Sequence, residues 1–269
     1  MSTKRLVEFL QTPGAYPERP GAIRLVQTHI SWVFIGDDFV YKLKKPVDFG
    51  FLDFTTLEKR RFFTHEELRL NRRFSPDVYL EVVPISEADD SFRLKDDSAV
   101  IEYALKMKRI DEGKMLFELL RKGLVKKEDM VKVGRHLSSI YAKIASDEKA
   151  RSFGTLDTIA TNVIENFEQT RKYINGPISQ ENFDALESWS RRFMDTGAHL
   201  FDARIAGGHI KDCHGDLHLQ HICMEDSGIF IFDCIEFNER FRFGDVASDV
   251  AFLSMDFDYN SYSDLGEAF

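Results

Sequence analysis

The sequence predicts an α+β fold in which an antiparallel sheet precedes a mainly helical region, and three observations carry that expectation. Short runs of alternating or continuous apolar residues, separated by turn formers, occupy much of residues 23–107. Beyond residue 107 the apolar positions recur every three to four residues. Late in the chain two apolar runs, Ile222-Cys223-Met224 and Ile229-Phe230-Ile231-Phe232, flank the turn formers Glu225-Asp226-Ser227-Gly228. This hairpin directly follows His214-Gly215-Asp216-Leu217-His218-Leu219-Gln220-His221.

The elements can be justified in order. Residues 23–27 alternate, Ser31 to Ile35 is apolar, and Phe39 to Lys45 alternates until Pro46 ends it, with Gly36-Asp37-Asp38 as a turn. A period of two puts Lys42 and Lys44 on one face, either as a solvated strand face or as cations aimed at a ligand. Thr55-x-x-Glu58 is a capping box opening a helix with apolar Leu57, Phe62, Phe63, Leu68 and Leu70. Its charged set includes Arg60, Arg61, Glu66, Glu67 and Arg69. Residues 79–85 and 99–107 read as further strands around a polar hairpin rich in Asp and Ser, giving a five-stranded sheet. Residues 114–121, 127–144, 159–174 and 182–201 read as helical, with Asn175-Gly176-Pro177 as an interhelix turn. The expected division is a first lobe over 1–106 and a second over 107–269.

Composition narrows the class. A chain of 269 residues with 43% hydrophobic and 30% charged residues buries a sizeable core, and its 24 Phe make that core aromatic-rich. The net charge of -9 opposes general binding to nucleic acid or an anionic membrane. The first residues carry no sustained apolar segment, and no run approaches the roughly 18 apolar residues of a membrane helix, so the expected location is cytoplasmic. Cys213, Cys223 and Cys234 lack paired zinc-site spacing and read as reduced, buried thiols.

Folding the hairpin about Ser227 sets His221 opposite Asp233, and cross-strand Cα atoms lie about 4.5–5.5 Å apart. Asp216, His221 and Asp233 would then converge where the chain enters the hairpin. An Asp that orients a hydroxyl, a metal-binding residue five positions later and a second Asp on the next loop is an arrangement used in phosphoryl transfer.

His214-Gly215-Asp216, with Asp233 and Asp249-Val250-Ala251 downstream, resembles the aminoglycoside phosphotransferase branch of kinase-like enzymes. The stretch Ile231 to Asn238 resembles an uncharacterised bacterial subgroup of that branch, some members of which carry an additional P-loop ATPase-like domain. The resemblance implies a two-lobed protein-kinase-like fold, with an antiparallel-sheet small lobe and a mainly helical large lobe carrying the catalytic-loop hairpin. It also implies ATP, with Mg²⁺ or Mn²⁺, and a hydroxyl of a small molecule as acceptor. By that match Asp216 is the catalytic base, Asp233 and His221 bind metal, and Asp249 braces the catalytic loop. Lys42 holds phosphates, with Lys44 as a substitute. Glu66 is its ion partner, preferred over Glu67 because Leu70 lies four residues on. The residues 104–107 would meet adenine through their backbone.

Two departures stand out. Gly-x-Gly-x-x-Gly is replaced by Gln27-Thr28-His29-Ile30-Ser31, which would hold phosphates through Thr28 and Ser31. His221 occupies the usual Asn position, and Mg²⁺ prefers oxygen ligands. Two other readings stay open: a nucleotide-binding pseudokinase with a scaffolding role, and a metal-dependent hydrolase built on His214, Asp216, His218, His221 and Asp233. No Gly-x-x-x-x-Gly-Lys-[Ser/Thr] occurs in the sequence, so the expected partner ATPase domain would lie on another chain. Arg240 and Arg242 are read as a salt bridge to Asp245 or as contacts to an acidic substrate.

Overall fold

The computed structural model describes residues 3–88 and 91–269. Its first region holds α1 (Thr3–Leu10) and the antiparallel strands β1 (Arg24–Gln27), β2 (Ser31–Ile35) and β3 (Phe39–Lys44). The helix α2 (Leu57–Asn71) follows, then β4 (Tyr79–Ala88), β5 (Ser91–Leu94) and β6 (Val100–Lys108). The sheet order is β1-β2-β3-β6-β4-β5, which puts β3 and β6 at its centre. The expected five strands are therefore six. The additional β5 pairs with the end of β4, and Phe92 within it packs into the same core as Phe34, Leu43 and Ile85. The polar character of that hairpin hid this one apolar anchor, and its tip at 89–90 lies outside the described residues.

The helix α1 also lacked a sequence-based expectation. Its Leu6 and Leu10, four residues apart on one face, are buried against the sheet. The N-cap of α2 is Thr56, whose hydroxyl accepts from the Lys59 amide at 3.3 Å, one residue later than the expected capping box. Thr55 is instead drawn into a turn by Asp53, whose carboxylate accepts from the Thr55 amide at 2.9 Å.

The second region contains α3 (Leu116–Arg121), α4 (Lys127–Tyr141), α5 (Glu148–Ser152), α6 (Leu156–Thr170), α7 (Gln180–Thr196) and α8 (Ala198–Ala206). Gly197 separates α7 from α8, where the sequence pattern reads as one helix. After β7 (Ile210–Asp212) comes the hairpin of β8 (Ile222–Glu225) and β9 (Gly228–Ile231), then α9 (Glu239–Arg242), β10 (Phe243–Asp245), α10 (Val246–Tyr259) and α11 (Ser263–Gly266). Met130, Val133, Leu137 and Ile140 give α4 one apolar face, which packs on Leu217, Leu219, Ile222, Leu253 and Phe257. This core lies directly beneath the His214–His221 loop and holds its backbone in place.

Residues 104–107, expected to meet adenine through their backbone, lie inside β6. Their backbones are paired with β3 on one side and β4 on the other, so the sheet consumes those groups. Among the described residues no helix is long and apolar enough to cross a membrane.

Candidate active site

The hairpin register pairs Ile222 with Ile231 across the two-residue turn Asp226-Ser227, one residue away from the expected fold about Ser227. His221 therefore lies opposite Phe232, whose amide donates to the His221 carbonyl at 3.1 Å. Asp233 comes one residue later and would point to the wrong face of an extended chain. It has instead a left-handed backbone, φ 65°. That turn brings its Oδ2 to 3.7 Å from His221 Nε2. Left-handed backbone at a non-glycine residue costs of order 1–3 kcal/mol and persists where the surroundings enforce it. Here the Asp233 amide donates to the Tyr79 hydroxyl at 3.0 Å and the next amide, of Cys234, to Asn71 Oδ1 at 2.9 Å. Ser75 Oγ bonds both the amide and the carbonyl of Ile231, at 2.9 and 2.7 Å. The end of α2 and the start of β4 thus fasten the hairpin exit to the sheet.

The loop before the hairpin is fastened from beneath. Asp249, on α10, accepts from the amides of His214 at 2.7 Å and Gly215 at 3.0 Å and from the Tyr141 hydroxyl. The bracing position is therefore occupied by Asp249, as the resemblance implied. Gly215 has φ 85°, and a Cβ there would approach the Phe241 carbonyl oxygen to 2.7 Å, so only glycine fits. His214 is fully buried; its Nδ1 accepts from the Asp216 amide at 3.3 Å, leaving Nε2–H to donate to the Phe232 carbonyl at 2.9 Å. Burial, reinforced by nearby His221, pushes its pKa down to about 3. His214 is a neutral tie between the two loops.

His221 Nδ1 lies 2.8 Å from the Asp216 carbonyl, which fixes Nδ1–H as donor and turns Nε2 toward Asp233. His218 has the opposite tautomer: its Nδ1 accepts from the Gln220 amide at 3.2 Å, so Nε2–H points to Asp216 Oδ2 at 3.8 Å. Among the described residues Asp216, His218 and His221 form a cluster with potential ligand atoms within 4.8 Å of one another. His221 thus turns its Nε2 toward Asp233, while His218 turns its Nε2 toward Asp216.

The cations come from β3. Lys42 Nζ lies 2.6 Å from Asp233 Oδ1 and 2.8 Å from Glu67 Oε1. Lys44 Nζ lies 2.7 Å from Glu67 Oε2 and also contacts Glu236. Glu67, not Glu66, is the helix partner of both lysines. Glu66 faces outward to Arg69, with bonds of 2.9 and 2.7 Å. Adjacent helix positions lie about 100° apart, and Glu67 shares the buried face with Arg60, Thr64, Leu70 and Asn71. Burial opposes ionisation of Glu67, but Lys42 and Lys44 outweigh it and hold its pKa below the ordinary value. Asp233 follows the same balance, with Lys42 and then His221 overcoming burial and lowering its pKa. Glu236 went unassigned in the sequence; burial is the leading influence on it and leaves its pKa raised despite Lys44.

Thr28 and Ser31 lie on the turn above. The Thr28 hydroxyl accepts from the amides of Ile30 and Ser31, at 3.3 and 3.0 Å, and so stabilises its own turn. Ser31 is fully buried. Both line a cavity of about 540 Å³ that also contains Lys42, Asp216, Asp233 and Glu236. Beside it an apolar slot of about 630 Å³ runs between Val26, Val33 and Val40 of the sheet and Phe232 of the hairpin exit. A wider depression of about 1240 Å³ beyond Arg24 and Lys108 contains none of Lys42, Asp216 and Asp233. Arg240 and Arg242 do not bind Asp245: Arg242 pairs with Asp212, Arg240 with Asn162 and Glu165, and Asp245 with Arg204.

No protein-family model matches this chain. An uncharacterized protein of Mycobacterium tuberculosis (strain ATCC 25618 / H37Rv) is 27% identical over 243 residues, covering 90% of this chain and 47% of its own length. A counterpart from Mycobacterium bovis (strain ATCC BAA-935 / AF2122/97) matches with the same values, 27% over 243 residues. The chain thus spans about half the length of these curated relatives, at 47%. Among solved structures, a choline/ethanolamine kinase family protein from Mesorhizobium loti superposes with a TM-score of 0.51 at 13% identity, covering 98% of this chain and 74% of that one. Choline kinase from Cryptosporidium parvum Iowa II gives 0.54 at 9% identity, covering 95% and 70%. The fold is therefore the two-lobed α+β kinase-like fold.

Proposed function

We propose that this chain is an ATP-dependent phosphotransferase, similar to the aminoglycoside phosphotransferases, that acts on a hydroxyl of a small molecule. The observation that carries the reading is the convergence of Lys42, Asp216 and Asp233 on one cavity beside an apolar slot. A slot walled by Val26, Val33, Val40 and Phe232 suits the faces of an adenine ring, and the cavity beyond it suits phosphates. Lys42, held in place by Glu67, supplies positive charge at the phosphate end.

In this reading the acceptor oxygen attacks the γ-phosphorus of ATP, the bond from that phosphorus to the bridging oxygen breaks, and ADP leaves. Asp216 orients the acceptor hydroxyl and takes its proton. Because His214, Gly215 and Asp249 fix the Asp216 loop, the acceptor meets a base already in position, and positioning with charge neutralisation supplies most of the acceleration. Asp233 and the Nε2 of His221 are the groups that would hold a divalent cation. A carboxylate with one imidazole suits Mn²⁺ in particular, and Mg²⁺ through Asp233. When bound, such a cation neutralises charge on the phosphates. We place the reaction in the cytoplasm, with a P-loop ATPase domain as partner; the relatives, 47% of whose length this chain covers, have room for a further domain.

Calorimetric titration of ATP with Mn²⁺ or Mg²⁺ into the wild-type chain, Lys42→Met and Asp233→Asn tests the reading. Metal-dependent ATP binding, weakened at least tenfold in both variants, is expected. Binding of metal alone, with none of ATP, would replace the phosphotransferase by a metal-centred activity.

A further inference from the structure

We infer that a cavity among the large-lobe helices is the pocket for the acceptor's body, and that the acceptor is a neutral molecule with a planar, largely apolar body and a hydroxyl. This rests on the phosphotransferase reading. The cavity measures about 520 Å³ and is bounded by α6, α8, β10, α10 and Gly215 of the catalytic loop. Its wall is built from Phe153, Phe193, Phe201, Phe241, Phe243 and Phe252. Phe193, Phe241 and Phe252 are 40%, 47% and 40% exposed, as is Leu200 at 45%. Four large apolar side chains left in water around one concavity mark a surface that a ligand covers.

Charge selects the ligand. Arg204 is spent on Asp245 through bonds of 2.7 and 2.6 Å. Arg240 is spent on Asn162 and Glu165, each at 2.6 Å, and Arg242 on Asp212. Asp249 is buried and engaged by two amides and the Tyr141 hydroxyl. A cationic acceptor would lose its hydration and find the two carboxylates of this lining, Asp245 and Asp249, already paired, and an anionic one would find its guanidiniums paired. What remains is neutral: the amide of Asn166 and the hydroxyl of Ser248.

A continuous aromatic wall connects this cavity to the catalytic carboxylate. Phe241 lies with its ring 6.3 Å from that of Phe51, which stacks on Phe49 at 6.1 Å and tilts against Phe237 at 5.9 Å. Phe49, Phe51 and Phe237 line the cavity that holds Asp216 and Lys42. Asn238 Nδ2 donates to the Phe51 carbonyl at 3.1 Å and holds the Phe49–Phe51 loop against the large lobe. An acceptor with its body among the large-lobe phenylalanines thereby presents its hydroxyl along this wall to Asp216.

The probe is 2-naphthol, neutral, planar and hydroxylated, with choline as its cationic counterpart. Each is titrated into the wild-type chain, Val163→Trp, which fills the cavity from α6, and Phe241→Ala, which removes a half-exposed wall residue without opening the core. Melting of each ligand-free variant reports whether it is folded. Saturable 2-naphthol binding, weakened at least tenfold in Val163→Trp and several-fold in Phe241→Ala, with no choline binding, is the expected result. Preferential choline binding, or 2-naphthol affinity unchanged in both variants, overturns the inference. ATP titrated into the same samples separates the two readings: ATP binding without 2-naphthol binding overturns the pocket alone, whereas 2-naphthol binding without ATP binding overturns its assignment to a phosphoryl acceptor.

Discussion

Replacing Lys44 by Met should be among the most damaging single substitutions in the small lobe. Lys42, Lys44, Glu67, Asp233 and Glu236 form one chain of contacts, two cations against three carboxylates, with a net charge of -1. Removing Lys44 makes it -2, and Glu67 and Glu236, exposed by only 1% and 7%, lose their shared partner. Breaking a buried ion pair from one side costs about 3–5 kcal/mol. With an unfolding entropy of about 2.1 cal/mol/K per residue over 269 residues, that loss lowers Tm by about 5–9 °C. Scanning calorimetry of wild type, Lys44→Met and the double variant Lys44→Met/Glu236→Gln reads it directly. The double variant should recover about half the loss or more, because it removes the stranded charge. Since Glu236 already has a raised pKa, the deficit of Lys44→Met should shrink on going from pH 8 to pH 5.5, as Glu236 takes up a proton. A Tm within 1 °C of wild type, or a double variant as unstable as the single, would refute the reasoning.

Three further outcomes are expected. His214 has a folded pKa near about 3 against an unfolded value of about 6.5, so the unfolded chain binds more protons between those limits. Its contribution is complete above pH 6.5 and falls away toward pH 3, by roughly 3–5 kcal/mol in full, and urea unfolding of His214→Gln should show a flatter pH dependence than wild type across that window. Gly215→Ala forces a Cβ to 2.7 Å from the Phe241 carbonyl oxygen at φ 85°; urea unfolding should register a loss of about 1–3 kcal/mol. Cys213, Cys223 and Cys234 are buried thiols with raised pKa, Cys223 being pushed up to about 12 by burial, so a thiol reagent such as Ellman's should react only on unfolding.

The strand pattern of the small lobe and the helical period of the large one were legible because each follows from a repeat of two or of 3.6 residues, as β2, β3 and α4 illustrate. What periodicity cannot carry is phase. Glu66 and Glu67 are neighbours in sequence, yet packing of α2 sends one to Arg69 and the other to two buried lysines. Asp233 was correctly placed at the hairpin mouth by the turn formers, but the register was off by one, and a left-handed residue corrected for it. Glu236 carried only a weak signal, a carboxylate in an otherwise apolar run beside the strand lysines' acceptor. The polar tie between lobes through Asn71, Ser75 and Tyr79 depends on contacts across more than 150 residues and has no local signature. The aromatic wall was foreshadowed only as a count of 24 Phe, since composition does not say where they meet.

The central claim is that Asp216 takes a proton from an acceptor hydroxyl while ATP donates its γ-phosphoryl group. The direct measurement is transfer of label from γ-labelled ATP to small molecules in a metabolite extract, by wild type and by Asp216→Asn, with ATP affinity measured alongside. The account predicts a labelled product from wild type, a loss of about 10²–10⁴-fold in Asp216→Asn, and the same ATP affinity in both. Equal transfer by the two proteins, or no labelled product from a wild type that binds ATP, would contradict it.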